Sequence, residues 1–182
     1  MDLKNRTFLK VICLISCCIF VTMGWISAAW GTELYIPTLK GEPGQAIEVP
    51  IMIDQVDNLA GVKLVMKYDA KILEFKTGSK TRHTDSLMHI INDKKPGLLI
   101  IVMAGARGIK GKEFSIFNLT FNIKEDLKGN HTTKVEITEI QLMSDKLKDI
   151  KCNIKVNPIT ILSREKEAPR NLSGGGNNNK AK

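Results

Sequence analysis

The segment FSIFNLTFNIK, residues 114–124, sets Phe117, Leu119, Phe121 and Ile123 on one side and Asn118, Thr120 and Asn122 on the other. A two-residue apolar period puts one face of a strand into a core and the other into solvent. The habit recurs along the chain and limits the folds open to it. AIEVPIMID aligns Ile47, Val49, Ile51 and Ile53, with Pro50 marking an edge or a bulge. From Gly61 to Tyr68, Val62, Leu64, Met66 and Tyr68 point in while Lys63, Val65 and Lys67 point out. LYI, SLMHIIND, KVEITEIQLM and CNIKVNPITIL read as further strands, and Gly41-Glu42-Pro43-Gly44 and Lys94-Lys95-Pro96-Gly97 read as turns. LLIIVMAGA does not alternate, as expected of a central strand covered on both sides. No segment carries a sustained 3.6-residue apolar period with caps, and Asp145 to Lys151 is too short and polar for a core helix. Seven to nine strands without interposed helices mean an all-β sandwich or barrel.

Alternation breaks at Tyr68-Asp69. An aspartate there can accept from the backbone two residues on, turning the chain so that Ile72, Leu73 and Phe75 return to the same core.

The flanks are read separately from the body. Lys4, Arg6 and Lys10 precede an apolar run from Val11 to Ile26 and the small residues Ser27-Ala28-Ala29. That order is a secretory signal over residues 1–31, cleaved after Ala29 or Gly31, and the run is short for a stable membrane span. Leu14-Ile15-Ser16-Cys17 also fits a bacterial lipobox, so a lipoprotein anchored through Cys17 is the variant of this reading. The mature protein is expected outside the cytoplasm, extracellular or periplasmic. Residues 164–182, REKEAPRNLSGGGNNNKAK, lack the apolar content to offset ordering and read as a disordered tail. Residues 32–163 remain as one domain.

Removing the flanks changes the charge argument. The net charge is +8, but residues 1–31 carry three basic and one acidic side chains, and residues 163–182 carry five and two. The body is close to balanced and has no basic stripe interleaved with aromatics, which argues against a nucleic-acid partner. Of four cysteines only Cys152 lies in the body, so an apolar core and not a disulfide framework must hold it.

Catalytic and metal-binding patterns are missing. His83, His89 and His131 have no ligand spacing, and Cys152, inside a strand pattern, reads as a small core filler. The run from Gly105 to Lys112 resembles a phosphate loop but has the wrong gap, and Glu113 stands where a hydroxyl is needed; a flexible loop between strands is expected. Asp54, Asp57 and Asn58 lack the acidic density of a calcium loop. No enzyme, metal or cofactor is expected.

Two stretches carry a family likeness: GEPGQAIEVPIMIDQVDNLAGVKLVMKYDAKILEFKTG and GLLIIVMAGARGIKGKEFSIFNLTFNIK. A glycine-rich turn before a Val-Pro strand, a strand ending Tyr-Asp-x-x-x-Leu-Glu and a late Ile-Phe-x-Leu-x-Phe strand together resemble a cohesin domain, from Leu34 to about Leu162. The resemblance implies a single jelly-roll β-sandwich of about nine strands, non-catalytic and monomeric. It implies a dockerin-type partner whose own EF-hand-like loops would hold calcium, in assemblies that gather polysaccharide-degrading enzymes. It also places the partner surface on the strands matching 60–67, 87–92, 98–103 and 115–123. The positions implied are Gly61, Lys63, Val65, Lys67, His89, Gly105, Asn118 and Thr120. Where the well-known cellulosomal type puts an amide and a carboxylate, Gly61 and Lys63 stand; where it puts an acidic residue, Gly105 stands. With Lys63 and Lys67 outward, an acidic partner and salt-sensitive association are expected.

Two other classes remain open at this point. A carbohydrate-binding module would need exposed aromatic rings, which the strand patterns mostly turn inward. An adhesin or secretion-apparatus subunit would pair an edge strand with a copy of itself.

Overall fold

A computed structural model describes residues 31–163. The expected signal segment up to Trp30, with Cys17, and the tail 164–182 lie outside the described residues. Among the described residues there is no α-helix, only a 3-10 turn at Arg82–Thr84.

Two strands are far longer than the pattern suggests. β3 (Ala46–Lys67) runs 22 residues and β6 (Leu98–Ile123) runs 26. Ordinary strands span roughly 3–10 residues before twist takes them off the sheet. These two bend together instead. They pair antiparallel from Ala46↔Asn122 to Lys67↔Leu98, with register shifts at Ile51/Met52, Val56/Leu59 and Leu59/Gly61. Such bulges sharpen a bend without ending the ladder.

Each half of the long pair then recruits its own neighbours. β1 (Thr32–Ile36) joins the first half of β3 antiparallel, and β9 (Cys152–Val156) joins β1 in parallel. β4 (Leu73–Lys80) covers the second half of β6. This layer therefore runs β9–β1–β3–β6–β4. In the other layer, β8 (Glu136–Met143) pairs the second half of β3, and β5 (Met88–Asn92) pairs the first half of β6, giving β8–β3–β6–β5. A small sheet of β2 (Leu39–Gly41), β10 (Ile159–Ile161) and β7 (His131–Thr133) completes the set.

Inward residues from both halves enter one core. Ile47, Val49, Ile51, Phe117, Leu119 and Phe121 come from the first layer, and Val62, Leu64, Met66, Leu99, Ile101 and Met103 from the second. Burying a side chain of this kind stabilises by about 1.5–3 kcal/mol. The all-β sandwich expected from the pattern is the fold observed.

Two local expectations change, and the bulge expected at Pro50 forms one residue on. The glycine run Gly105–Gly111 is the bend of β6, not a loop: Val56 opposes Gly111 and Leu59 opposes Ile109. Close packing explains its composition, because a Cβ on Gly108 would lie 1.4 Å from Asn58 Oδ1. LLIIVMAGA does alternate in the structure, with Leu99, Ile101 and Met103 buried and Val102 and Ala104 exposed. Pro50 is paired with Asn118 inside β3, beside the bulge at Ile51/Met52. The turn at Tyr68-Asp69 forms as its residues require: Asp69 Oδ1 accepts from Lys71 N at 2.8 Å, and its carbonyl accepts from Leu73 N at 2.8 Å.

Phe117 sits fully buried where the layers meet. Phe117→Ala should cost about 3–5 kcal/mol. Urea unfolding followed by far-UV circular dichroism should show the midpoint fall by that equivalent; a loss under about 1 kcal/mol would place Phe117 outside the cooperative core.

Candidate functional site

The outer surface of the β8–β3–β6–β5 layer is assembled row by row from opposed residues, which share a face. One row reads Met88, Ala104, Gly61, Met143 across β5, β6, β3 and β8. The next reads Ile90, Val102, Lys63, Gln141, and a third Asn92, Ile100, Val65, Glu139. Lys67 and Glu136 close the face.

Its two sides differ in chemistry. On the β5–β6 side, Met88 is 79% exposed, Ile90 71% and Val102 42%, with Ile100 beside them. These residues form a contiguous apolar stripe, whereas the other exposed large aliphatic residues among those described, Leu147, Ile154 and Leu162, lie on other segments or beyond the last strand. On the β3–β8 side the residues are charged and partly paired within the chain. Lys63 Nζ lies 2.5 Å from Glu139 Oε1, and Thr138 Oγ1 donates to the Val65 carbonyl at 3.1 Å. Lys67 opposes Glu136, whose carboxyl is held below the usual carboxylate range by Lys134, 2.5 Å away, and further by Lys67. The sequence reading has Lys63 and Lys67 call for acidic groups from a partner. In the structure strand β8 sets a carboxylate near each: Glu139, opposite Val65, reaches Lys63 diagonally, and Glu136 stands across from Lys67.

The expected site residues divide accordingly. Gly61, Lys63, Val65 and Lys67 stand together on this face. His89 lies on β5 but turns to the core side, its ring edge-on to Phe117 at 5.4 Å, because it opposes the buried Met103. Gly105 follows the outward Ala104 and so faces inward; a Cβ there would meet Leu87 Cδ2 at 2.5 Å, so packing accounts for the glycine. Asn118 and Thr120 are on the outer side of the other layer. They oppose Pro50 and Glu48 in the first half of β3, and Asn118 Nδ2 donates to Glu48 Oε1 at 2.9 Å. Segment 115–123 therefore does not join the face, because β6 has bent into the opposite layer before it begins.

Met88, Ile90, Ile100 and Val102 escaped the sequence reading, although a signal was present. MHII and LLIIV are apolar at consecutive positions, and a doubly apolar strand with one side bare looks in sequence like a doubly covered one.

The remaining candidates are structural in setting. Asp54 Oδ1 accepts from Glu33 N at 2.7 Å and Gln55 N at 2.5 Å, and Asn58 donates to Asp145 at 2.6 Å. His83 stacks on Phe114 and His131 contacts the Lys128 carbonyl. Among the described residues no cluster of three metal-ligating side chains occurs. Cys152, opposite Thr32, is half-buried, and burial raises its thiol pKa to about 11.

The family model described as Cohesin domain matches residues 32–161. Among solved structures, a non-cellulosomal cohesin from the archaeon Archaeoglobus fulgidus superposes with a TM-score of 0.63 at 18% identity, covering 75% of this chain and 94% of that one. The sixth cohesin of Acetivibrio cellulolyticus scaffoldin B, solved with the Cel5 dockerin, gives 0.62 at 22% identity, covering 73% and 99%. The OlpC cohesin of Clostridium thermocellum, solved with the Doc435 dockerin, gives 0.64 at 17% identity, covering 74% and 95%. No curated protein matches.

Two measurements check the site's electrostatics. A Lys63→Ala/Glu139→Ala double-mutant cycle in urea should return a coupling below about 1 kcal/mol, since both partners are solvent-exposed; a value several-fold larger would contradict the exposed setting. Alkylation of Cys152 by iodoacetamide at pH 8 should be far slower than for a free thiol and should accelerate as pH rises toward 11, because only the thiolate reacts. A rate equal to that of glutathione at pH 8 would contradict the buried setting.

Proposed function

The chain belongs to the cohesin domain family, and from that premise we propose that it is an exported, non-catalytic recognition module that docks a dockerin-type helical domain on the β8–β3–β6–β5 face. One observation carries the reading: the first half of β6 is apolar on both sides but only its inner side is buried, and Met88 and Ile90 of β5 extend the bare outer side. Contiguous exposed apolar surface on a monomer marks an interaction site. Cohesins solved with dockerins share this chain's fold, which supports a protein partner.

The chemistry of the face sets the character of the complex. Met88, Ile90, Ile100 and Val102 form its desolvated centre, and the helical partner lays a complementary apolar stripe against them. Lys63, paired with Glu139, and Lys67, across from Glu136, form a polar rim with Gln141 and Asn92. Calcium belongs to the partner's loops and not to this chain. A polysaccharide-degrading assembly outside the cell is the setting that fits an exported module of this family, with this chain a monomer until it docks.

Surface plasmon resonance against a panel of purified dockerins tests the reading. At least one should bind, and binding should vanish on adding a chelator through loss of the partner's fold. Ile90→Asp, placed at a fully outward position, should weaken that binding by about 100-fold or more while leaving the melting temperature within about 2 °C. Affinity should fall only modestly from low to molar salt, because the centre is apolar and Lys63 is paired with Glu139, while Lys67, whose neighbour Glu136 pairs with Lys134, still favours an acidic partner. Failure of every dockerin to bind, or binding indifferent to Ile90→Asp, would overturn the assignment.

A further inference from the structure

Tyr68 stands between two clefts at one end of the sandwich. On one side a cavity of about 260 Å³ is lined by residues that include Tyr68, Phe75, Glu74, Asp93, Pro96 and Lys124. On the other side a second cavity of about 260 Å³ is lined by Tyr68, Lys67, Asp69, Thr133, Lys134 and Glu136. The tyrosine is their common wall.

The aromatic groups here are held rigidly. Tyr68 and Phe75 both meet Phe121 edge-on, at 5.0 and 5.6 Å between ring centres. Tyr68 N donates to the Gly97 carbonyl at 3.1 Å, which fixes the end of β3 beside the turn carrying Asp93 and Pro96. A site whose side chains are already fixed loses little freedom when a ligand arrives. The polar groups remain available: among the described residues neither the Tyr68 hydroxyl nor the Asp93 carboxylate has a protein partner. Glu74, 3.0 Å from Lys76, is held below the usual carboxylate range by Lys76 and further by Lys124, so it stays an acceptor in mildly acid conditions.

The mixture selects a ligand class. Lys124, Lys67 and Lys134 work against a cation, and Asp93, Glu74, Asp69 and Glu136 against an anion. Partly exposed rings next to fixed hydrogen-bond acceptors and donors suit a neutral molecule with apolar C–H faces and many hydroxyls. Two cavities of equal size joined at one ring suit a repeating one. We propose that the two clefts form a single groove for a neutral saccharide chain, one sugar on each side of Tyr68. The groove answers the objection that this sandwich lacks a flat aromatic platform: its rings are gathered at an end, not on a sheet face. It meets the docking face only at that face's edge, through Lys67 and Glu136, and shares no residue with the apolar stripe.

Native affinity electrophoresis of the full chain in gels containing hydroxyethyl cellulose, xyloglucan or galactomannan tests the proposal. At least one neutral polysaccharide should retard the protein. Asp93→Ala and Tyr68→Phe, which remove polar groups without protein partners, should each weaken the apparent affinity by about tenfold with the melting temperature preserved. Ile90→Asp should leave retardation unchanged. No retardation in any gel, retardation only by a charged polymer, or retardation that survives both variants would each overturn the groove. A loss of dockerin binding in Asp93→Ala without any effect of sugar would assign the clefts to the protein partner and overturn it equally.

Discussion

The antiparallel ladder between β3 and β6 is the constraint on which the rest depends. It runs almost the full length of both strands and crosses from one layer of the sandwich to the other. A single pair thereby supplies the middle of both sheets, and every other long strand docks on one half or the other. The bend needs a bulge at Val56–Gly61 on one strand and bare backbone at Gly108 and Gly111 on the other. Composition that looked like a loop is the hinge that lets two layers face each other over one core.

The same bend decides what each outer surface displays. Before it, β6 shows Ile100, Val102 and Ala104; after it, Asn118, Thr120 and Asn122. The outer side of β6 is therefore apolar in one layer and hydrophilic in the other. On the layer where it is apolar, β8 adds Glu139, which pairs with Lys63, and Glu136, which stands across from Lys67 and pairs with Lys134, so the charged groups gather on the β3–β8 side and the β5–β6 side keeps the apolar residues. Lysine is depleted from interface centres because desolvating it is costly, and here it stands to the side.

Much of this was legible in the sequence, and the gaps have physical causes. Alternation at 47–53, 62–68 and 117–123 identified the inward residues, since a two-residue period reports burial directly. Asp69 announced its turn because its side chain does the turning. Strand continuity through Asp54–Leu59 and Gly105–Glu113 was hidden, because bulged and glycine-rich stretches break the period while the ladder persists. That hidden continuity misplaced Asn118 and Thr120: sheet membership past a bend is a property of pairing, not of local pattern. His89 and Gly105 were misjudged by one step of the pleat, which turns a residue to the other face. The apolar stripe at Met88, Ile90 and Val102 was visible as letters, but its bareness depends on what the fold leaves uncovered.

The central claim is that the outer side of β8–β3–β6–β5 is where a helical partner rests. Amide chemical-shift mapping during titration with a purified dockerin tests it most directly. The account predicts perturbations centred on Ile90, Ile100, Val102 and Val65, fading across Lys63 and Gln141, with Asn118 and Thr120 unmoved. Perturbations centred on the β4–β6–β3–β1 surface, with Ile90 and Val102 silent, would contradict it.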